Sequence, residues 1–309
     1  MGRNVCPAGS VYGGMKFPAL GAAVVWGVAA TGCTVTVDSH SEILREEKQF
    51  KVTGIPTVRL TTFDGGIEIQ GWDKPHVLVE IEKRGGSREA IDALEVKTQQ
   101  AGDTIELEVK RPRSESFRGI GLHRTAYAKL IVSVPYKANI DARSGDGAIR
   151  IERVSGRLAL RTSDGSIRAT DVSGELSLDT NDGSVTVDKA EGRLLVDTGD
   201  GSVNVAGRLA AVKLHTGDGA VVYRAEDGSA MADNWDITTG DGTVSVYLPR
   251  DFGAELDAHT GDGTIRSEID GLESRSRESA RRTLRGKIGD GGKLLRIRTG
   301  DGSIRLRTN

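Results

Sequence analysis

A short glycine-aspartate-glycine phrase recurs along this chain of 309 residues, and its spacing constrains the fold more than any other feature. Between Asp146 and Asp218, the aspartates of successive copies stand 18 residues apart. A fixed period indicates one structural unit that is stacked many times. The aspartates of the repeat are Asp146, Asp164, Asp182, Asp200, Asp218, Asp241, Asp262 and Asp301. The sequence therefore predicts a repeat architecture.

Apolar residues hold fixed positions around each aspartate, six and four residues before it and three and five after it. Around Asp164 these residues are Leu158, Leu160, Ile167 and Ala169. Such alternation is typical of half-buried strands. A single coil cannot bury its apolar face, whereas stacked coils form a continuous core. We therefore predict an all-β chain, a single-stranded β-solenoid resembling a parallel β-helix, with about 18 residues per regular coil and like residues stacked over like.

The turn residues suggest how each coil reverses. Glycine supplies the positive φ that a tight turn uses, and aspartate bonds its own backbone in an Asx turn. A hydroxyl residue stands two positions before each aspartate, in phase with the core, so we expect its hydroxyl to bond backbone at the corner. The eight aspartates are thus predicted to form a structural turn ladder. Calcium between the coils is the alternative, but each coil offers one carboxylate and no second acidic column, so no metal is predicted.

The pattern also suggests boundaries within the chain. An earlier copy at Asp64 places the start of the solenoid near residue 56, so the solenoid domain is predicted over 56–309, after a linker at 34–55. The repeat lapses over 72–136, where wider and less regular coils are expected, with a hairpin turn at 99–103.

The segment 270–292 is predicted to be a basic insertion. It is expected to form a solvated loop, a short capping helix, or a patch that faces an anionic lipid or polysaccharide. The arginines of this candidate patch are Arg275, Arg277, Arg281, Arg282 and Arg285.

The N-terminus has the features of a targeting segment. An apolar run from Phe17 to Ala30 leads into Ala-Thr-Gly-Cys at residues 30–33, which is typical of a bacterial lipobox. We predict a signal peptide over 1–33 with its natural start at Met15. Cys33 is then lipidated and anchors the protein to the outer membrane or cell surface. An uncleaved anchor and an ordinary signal peptide are the alternatives, and neither of the two cysteines is predicted to form a structural disulfide.

Charge and motifs restrict the possible chemistry. The net charge of −2 gives no global basic field, so no nucleic-acid partner is predicted. The metalloprotease, CxxC, nucleophile-elbow and phosphate-loop motifs are absent from the sequence, and no cofactor is predicted. His215 and His259 share an outward column, but are expected two coils and about 10 Å apart, too far to share one ion.

The repeated Thr-Gly-Asp-Gly-Ser-Val turns, the Val134-Pro135 step before the regular coils and the closing segment 289–304 together resemble a bacterial family, the putative-adhesin family, a domain of unknown function. The resemblance covers about residues 56–309. It implies a β-solenoid head, often on exported or membrane-attached proteins, and it brings no catalytic residue.

The leading prediction is a non-enzymatic exported lipoprotein of the cell envelope, elongated and used for adhesion or for binding an envelope polysaccharide or protein. One alternative is a carbohydrate-active β-helix enzyme, a lyase or hydrolase, which a pocket of clustered carboxylates walled by 72–136 would favour. Another is a purely structural spacer. Exposed aromatic residues or a continuous polar groove along one face would favour binding, and their absence would favour the spacer.

Overall fold

The computed structural model describes residues 34–38, 41–110, 126–269, 272 and 282–309, which all lie in one compact unit. Within this part of the chain, 22 strands form a single sheet, accompanied by one short helix. The prediction of an all-β fold is confirmed. Segments 1–33, 111–125 and most of 270–281 lie outside the described residues.

The first third of the described chain combines parallel and antiparallel strands. Its elements are β1 (Thr34–Asp38), β2 (Ser41–Lys51), β3 (Thr57–Thr61), β4 (Ile67–Trp72), β5 (His76–Gly85), α1 (Arg88–Asp92), β6 (Glu95–Ala101), β7 (Thr104–Lys110) and β8 (Tyr127–Pro135). β3 pairs in parallel with β7 on one side and with the strand Asn139–Arg143 on the other, and β4 does the same with β8 and the strand Ile149–Glu152. The copy at Asp64 is therefore part of the stack.

The remaining strands are parallel except for β20. They are β9 (Asn139–Arg143), β10 (Ile149–Glu152), β11 (Ser155–Thr162), β12 (Ile167–Thr180), β13 (Val185–Thr198), β14 (Val203–Thr216), β15 (Val221–Ala225), β16 (Trp235–Thr239), β17 (Val244–Leu248), β18 (Ala254–Thr260), β19 (Ile265–Ser267), β20 (Thr283–Ile288), β21 (Leu294–Thr299) and β22 (Ile304–Thr308). Each of β12, β13 and β14 runs through a second bend without interruption.

The parallel register places like residues over like. Leu158 lies opposite Leu176, and Leu176 lies opposite Leu194. These three side chains are at most 3% exposed and belong to one hydrophobic cluster that runs from Val52 to Leu306. Strands before and after each aspartate turn contribute to this cluster, so the core is a shared interior between the two strands of every coil.

The strands at the C-terminal end are not stacked in chain order. Ile297 of β21 lies opposite Ile237 of β16 on one side and Ala258 of β18 on the other. β22 lies between β17 and β19 in the same way. The last coil of the chain therefore occupies a slot between two coils that precede it in sequence.

This order corrects the predicted spacing of the two histidines. The coils of Thr238 and Arg298 both lie between His215 and His259, which are therefore three coils apart instead of two. His259 Nδ1 lies 2.9 Å from Thr283 Oγ1 of β20. The histidines do not form a pair.

Residues 34–55 are not a linker, and this prediction is wrong for the part that forms β1 and β2. β2 pairs antiparallel with β5 from Glu42 opposite Gly85 to Lys51 opposite His76, and Leu44 is buried. The sequence did not indicate this strand because charged residues dominate it. Their charges are matched across the pair, as in the contact of 2.7 Å between Lys83 Nζ and Glu46 Oε1.

Segment 72–136 contains antiparallel strands where wide coils were predicted. β5 pairs antiparallel with both β2 and β8, and β6 forms an antiparallel hairpin with β7 that turns at 102–103, near the predicted position. In the predicted insertion, the described residues include β20, an antiparallel strand along the outer side of β18. A loop or a helix is therefore wrong for residues 283–288.

The aspartate turns are held by threonine, not by aspartate. Thr180 Oγ1 donates to the Ser163 carbonyl at 3.0 Å and accepts from the Gly183 N–H at 3.3 Å, and the same arrangement recurs along the column. The predicted role of the threonine hydroxyls is thus observed. The predicted Asx turn is not, because all eight aspartate side chains are exposed and, in the described residues, none of them accepts a hydrogen bond from a turn backbone.

The glycine after each aspartate is required by close approach of the neighbouring coil and not by a positive φ. A Cβ added to Gly183 would lie 1.9 Å from the Gly165 carbonyl oxygen, and one on Gly201 would lie 1.9 Å from the Gly183 oxygen. These glycines do not have φ values in the left-handed region. The predicted residue type is correct, but the physical reason is different.

Candidate functional site

The second bend of each coil carries the most unusual backbone of the described chain. Arg153, Asp171 and Lys189 occupy equivalent positions in three successive coils, with φ values of 57°, 53° and 53°. Residues other than glycine rarely adopt this left-handed backbone conformation, which costs on the order of 1 kcal/mol or more per residue. Three strained residues in one column mark this corner as a candidate site.

A column of glycines follows the strained residues, and two of them, Gly156 and Gly174, line a cavity at this corner. Gly156 lies opposite Gly174, and Gly174 lies opposite Gly192. A Cβ at Gly174 would lie 2.2 Å from the Gly156 oxygen, and its φ of 114° also favours glycine. The corner therefore lacks side chains where its coils pack most closely, and this absence opens a groove.

Three adjoining cavities make up this groove, with volumes of about 770, 380 and 410 Å³. The first two meet at Ser155, and the second and third share Asp171 and Ser173. We call the whole depression the corner groove. Its polar and aromatic lining consists of Thr57, Arg59, Tyr136, Asn139, Asp141, Arg153, Ser155, Arg157, Asp171, Ser173, Glu175, Lys189, Glu191, Arg208 and Glu226.

Most charged side chains of the corner groove are paired with one another or with a neighbour. Arg157 Nε lies 3.2 Å from Glu175 Oε2 on the next coil, and Arg208 pairs with Glu191. Asp141 pairs with Arg143 at 3.0 Å. These pairs are exposed and contribute little to stability, about 0–1 kcal/mol each.

Tyr136 is the exposed aromatic residue of the corner groove. Its N–H donates to the Trp72 carbonyl at 3.1 Å, and its own carbonyl accepts from the Ser155 N–H at 2.7 Å. The side chain remains 47% exposed beside Gly71, where an added Cβ would lie 3.1 Å from the ring. The backbone is thus fixed on both sides while one face of the ring is available.

A smaller cavity of about 290 Å³ lies on the strands that follow the aspartate turns and is lined by Glu68, Arg150 and Arg168 among others. Glu68 Oε1 lies 2.9 Å from Lys129 Nζ and 3.5 Å from Arg150 Nη1. Its carboxylate is therefore already shared between two cations. The corner groove is larger and spans more coils.

None of the predicted site residues that the structure describes lines this groove. The eight aspartates of the turn ladder line the opposite edge of the coils, and all are exposed. Among the described residues, no group of three or more His, Cys, Asp or Glu side chains could hold a metal ion. Asp262 pairs with Arg282 Nη2 at 3.2 Å.

The basic patch is only partly described. Arg275, Arg277 and Arg281 lie outside the described residues, as does Cys33. Arg282 pairs with Asp262, and Arg285 Nε lies 3.1 Å from Asp257 Oδ1. An anionic partner would have to compete with both carboxylates, so this binding role stays a prediction that depends on the other three arginines.

Glu82 and Asp257, two carboxyl groups whose pKa values are lowered by arginines, also lie outside the corner groove. Burial alone would raise the pKa of Glu82, but hydrogen bonds from Arg84 and Arg45 lower it below its ordinary value. The pKa of Asp257 is lowered in the same way, by Arg298 and Arg285 acting against burial. Both groups join strands through ion pairs.

Sequence reasoning did not single out Tyr136, Asp171 or Lys189. The bend itself was visible in the repeated Val-Ser-Gly segments at 154–156 and 172–174. A charged residue directly before each of these segments was the available signal. Its left-handed conformation cannot be inferred from residue type, because arginine and lysine rarely adopt it.

Comparison with known proteins places the chain in a fold group. The model of the Toastrack DUF4097 family matches residues 66–307. No functionally curated protein matches the chain. Among the described residues, no helix is both long enough and apolar enough to cross a membrane.

Solved structures that are similar to the chain come from several bacteria. A putative cell adhesion protein from Clostridium sporogenes is 16% identical, with a TM-score of 0.28, and the match covers 86% of this chain and 99% of that one. A putative adhesin from Bacteroides fragilis is 11% identical with a TM-score of 0.35, covering 85% and 96%. A putative lipid binding protein from Parabacteroides distasonis is 13% identical with a TM-score of 0.40, also covering 85% and 96%. Similarity at this level carries no functional argument.

Proposed function

The chain belongs to the Toastrack DUF4097 family, and from this premise we propose that it is a non-enzymatic, exported binding protein of the bacterial cell envelope. The ligand is an extended envelope polymer or protein that lies in the corner groove. The single observation that carries this proposal is the continuity of the groove, because its three cavities adjoin and cross several coils.

The same proposal includes the architecture that produces the groove. The regular part is a solenoid with about 18 residues per coil, in which each glycine-aspartate-glycine turn reverses the chain. The register of Ser155 opposite Ser173, and of Ser173 opposite Glu191, supports this period. Because every coil repeats the same corner, a surface feature of one coil becomes a line of features along the stack.

An extended ligand fits the corner groove better than a small molecule does. Small-molecule sites are concave and enclose most of the ligand surface. Here the lining is mostly polar, Gly156 and Gly174 line the largest of the three cavities, and the groove continues from Arg59 to Glu226. An exposed aromatic residue and a continuous polar groove both favour binding over the role of a passive spacer.

The enzymatic alternative receives less support from this geometry. A lyase or hydrolase was expected to have a pocket walled by 72–136, yet Tyr136 is the one residue of that segment that lines the groove. Glu175, Glu191 and Asp141 each pair with an arginine. Three of the five carboxyl groups of the groove are thus engaged by arginines, whereas glycoside hydrolysis uses a pair of carboxyl groups that flank the scissile bond.

Export through a lipid anchor is the remaining part of the proposal. Cys33, in the Ala-Thr-Gly-Cys segment, is the residue that would be lipidated and would hold the protein at the outer membrane or cell surface. We expect Cys33→Ser to move the full-length protein from the membrane fraction to the soluble fraction in a bacterial host. Unchanged membrane attachment, together with no incorporation of labelled fatty acid into the wild type, would refute the anchor.

Binding is tested by filling the groove. Full-length protein is sedimented with purified bacterial cell-wall sacculi and envelope polysaccharide. Ser173→Trp places an indole between two of the cavities, and Ser202→Trp, at an exposed turn position directly before β14, is the matched control. We expect the first variant to lose at least about tenfold in affinity, or 1.4 kcal/mol. Equal affinity of the two variants for the sacculi or polysaccharide, or no sedimentation of the wild type with them, would contradict the proposal.

A further inference from the structure

We infer that the occupant of the corner groove is an uncharged polysaccharide chain. This inference rests on the proposed binding function and names the chemical class of its ligand. It is carried by three features of the groove: its charge balance, its unpaired polar groups and its aromatic wall.

The charge of the lining sums to zero. Five cationic and five anionic side chains line the three cavities. The cations are Arg59, Arg153, Arg157, Lys189 and Arg208, and the carboxylates are Asp141, Asp171, Glu175, Glu191 and Glu226. A polyanion would gain no net attraction from such a surface, and a polycation would gain none either. A chain that carries hydroxyl groups and no charge does not depend on a net charge of the surface for its binding.

Two groups in the centre of the groove remain without a hydrogen-bond or ion-pair partner in the described part of the chain. They are Asp171 and Lys189, on neighbouring coils whose flanking residues Thr170 and Asp188 lie opposite each other. Asp171 can only accept hydrogen bonds and Lys189 can only donate them. The hydroxyls of Ser155 and Ser173 lie in the adjacent column and can do both. Together these groups match the mixed donor and acceptor character of sugar hydroxyls.

Tyr136 supplies the apolar part of the site. A sugar ring has an apolar C–H face, and burying it against a rigid aromatic ring removes apolar surface from water on both partners. The backbone of Tyr136 is fixed by Trp72 and Ser155, so little conformational entropy is lost when a ring stacks on it.

A protein segment fits the corner groove less well. Extended peptides usually bind by adding a strand to a free sheet edge, where backbone groups lack partners. The groove lies over β11, β12 and β13, and each of these strands pairs with a neighbour on both sides. A peptide would therefore leave its own backbone groups without this pairing, whereas a polysaccharide has no such need.

Isothermal titration of the full-length protein tests the inference. Cellohexaose, chitohexaose and mannohexaose are the uncharged probes, and polygalacturonate is the anionic probe. We expect at least one hexasaccharide to bind, with affinity changing less than about twofold when NaCl is raised about tenfold, because few ions are released. Tyr136→Ala should weaken binding at least about tenfold. Tyr127→Ala, which removes a comparably exposed tyrosine outside the groove, should change it less than about twofold.

A second variant separates binding from folding. Asp171→Asn keeps a residue type that tolerates the left-handed conformation, so the fold should persist while the acceptor is weakened. Asp164→Asn, in the turn ladder, is its control. Binding of polygalacturonate alone, a strong salt dependence, or equal affinity of all variants would overturn the inference. If no hexasaccharide binds but Ser173→Trp still abolishes sedimentation with sacculi, this inference fails and the proposed binding function stands.

Discussion

At the scale of single residues, the glycine after each turn aspartate is fixed by the coil beside it. A methyl group on Gly201 would lie 1.9 Å from the Gly183 oxygen, well inside contact distance, and neither backbone can move without shifting its own coil. We expect Gly201→Ala to destabilise the protein by more than about 3 kcal/mol. Gly66→Ala is the control, because its Cβ would lie 3.4 Å from the nearest atom, the Ala148 oxygen. Similar urea midpoints for both variants would contradict this explanation.

The threonine column makes a second prediction at this scale. Thr216 is fully buried, and its hydroxyl donates to the Gly201 carbonyl at 2.9 Å and accepts from the Gly219 N–H at 3.2 Å. Thr216→Val keeps the shape and leaves both backbone groups unsatisfied, which should cost about 1–3 kcal/mol in the free energy of unfolding. Thr186→Val, on the outer face, should stay within about 0.5 kcal/mol. Chemical denaturation measures both, and equal effects would exclude a role for the buried hydroxyl.

These columns of residues show which features of the fold could be predicted from the sequence and which could not. The columns that carry Leu158, Leu176 and Leu194 were predictable, because an alternating pattern repeated at constant spacing allows one inward face. The aspartate was misjudged, since its frequent role in Asx turns suggested a bond that Thr180 and its equivalents make. Residue type alone does not reveal which of two nearby oxygen-bearing side chains reaches the backbone.

At the scale of elements, the last coil is held between its neighbours by charge as well as by its backbone. Asp257 of β18 contacts Arg298 of β21 at 2.6 Å and Arg285 of β20 at 3.1 Å. Its carboxyl is partly buried, and the two arginines lower its pKa against the opposing effect of burial. The side chain of Asp257 thus connects β18 to the inserted strand β21 and to the edge strand β20.

This arrangement predicts a dependence of stability on pH. The pKa of Asp257 is lower in the folded state than in the unfolded state, so its contribution is present above the unfolded value of about 3.9 and is lost as the pH falls through the folded value. We expect Asp257→Asn to lower stability at neutral pH and to flatten the loss of stability below about pH 4. Urea denaturation at a series of pH values measures this. Parallel curves for wild type and variant down to about pH 2 would contradict it.

The order of these coils could not be predicted from the sequence. Ile237, Ile297 and Ala258 occupy the same inward position of their coils, so local pattern does not specify which coil lies beside which. Chain order is the simplest assumption and is wrong here, because β20 returns along the outer side of β18 and directs the chain back to the slot. The position of β21 and β22 in the sheet is therefore set by long-range strand pairing and not by the local sequence pattern.

At the scale of the whole molecule, stacking converts local features into a long surface. Tyr136, Asp171 and Glu226 are far apart in sequence, yet the groove brings them into one line. The sequence predicted that a continuous polar groove would favour binding, but not where it lies. Its position depends on left-handed corners and on which side chains remain unpaired, and both are properties of the folded chain.

Hydrogen exchange of the full-length protein, with and without the hexasaccharide that binds most tightly, tests the central claim most directly. If the chain binds an extended polymer across its coils, exchange should slow together in the corner segments 153–157, 171–175 and 189–193, and remain unchanged at 166–168 on the strand after the aspartate turn. Protection confined to the aspartate turns or to a single coil, or no protection at any corner, would contradict the account.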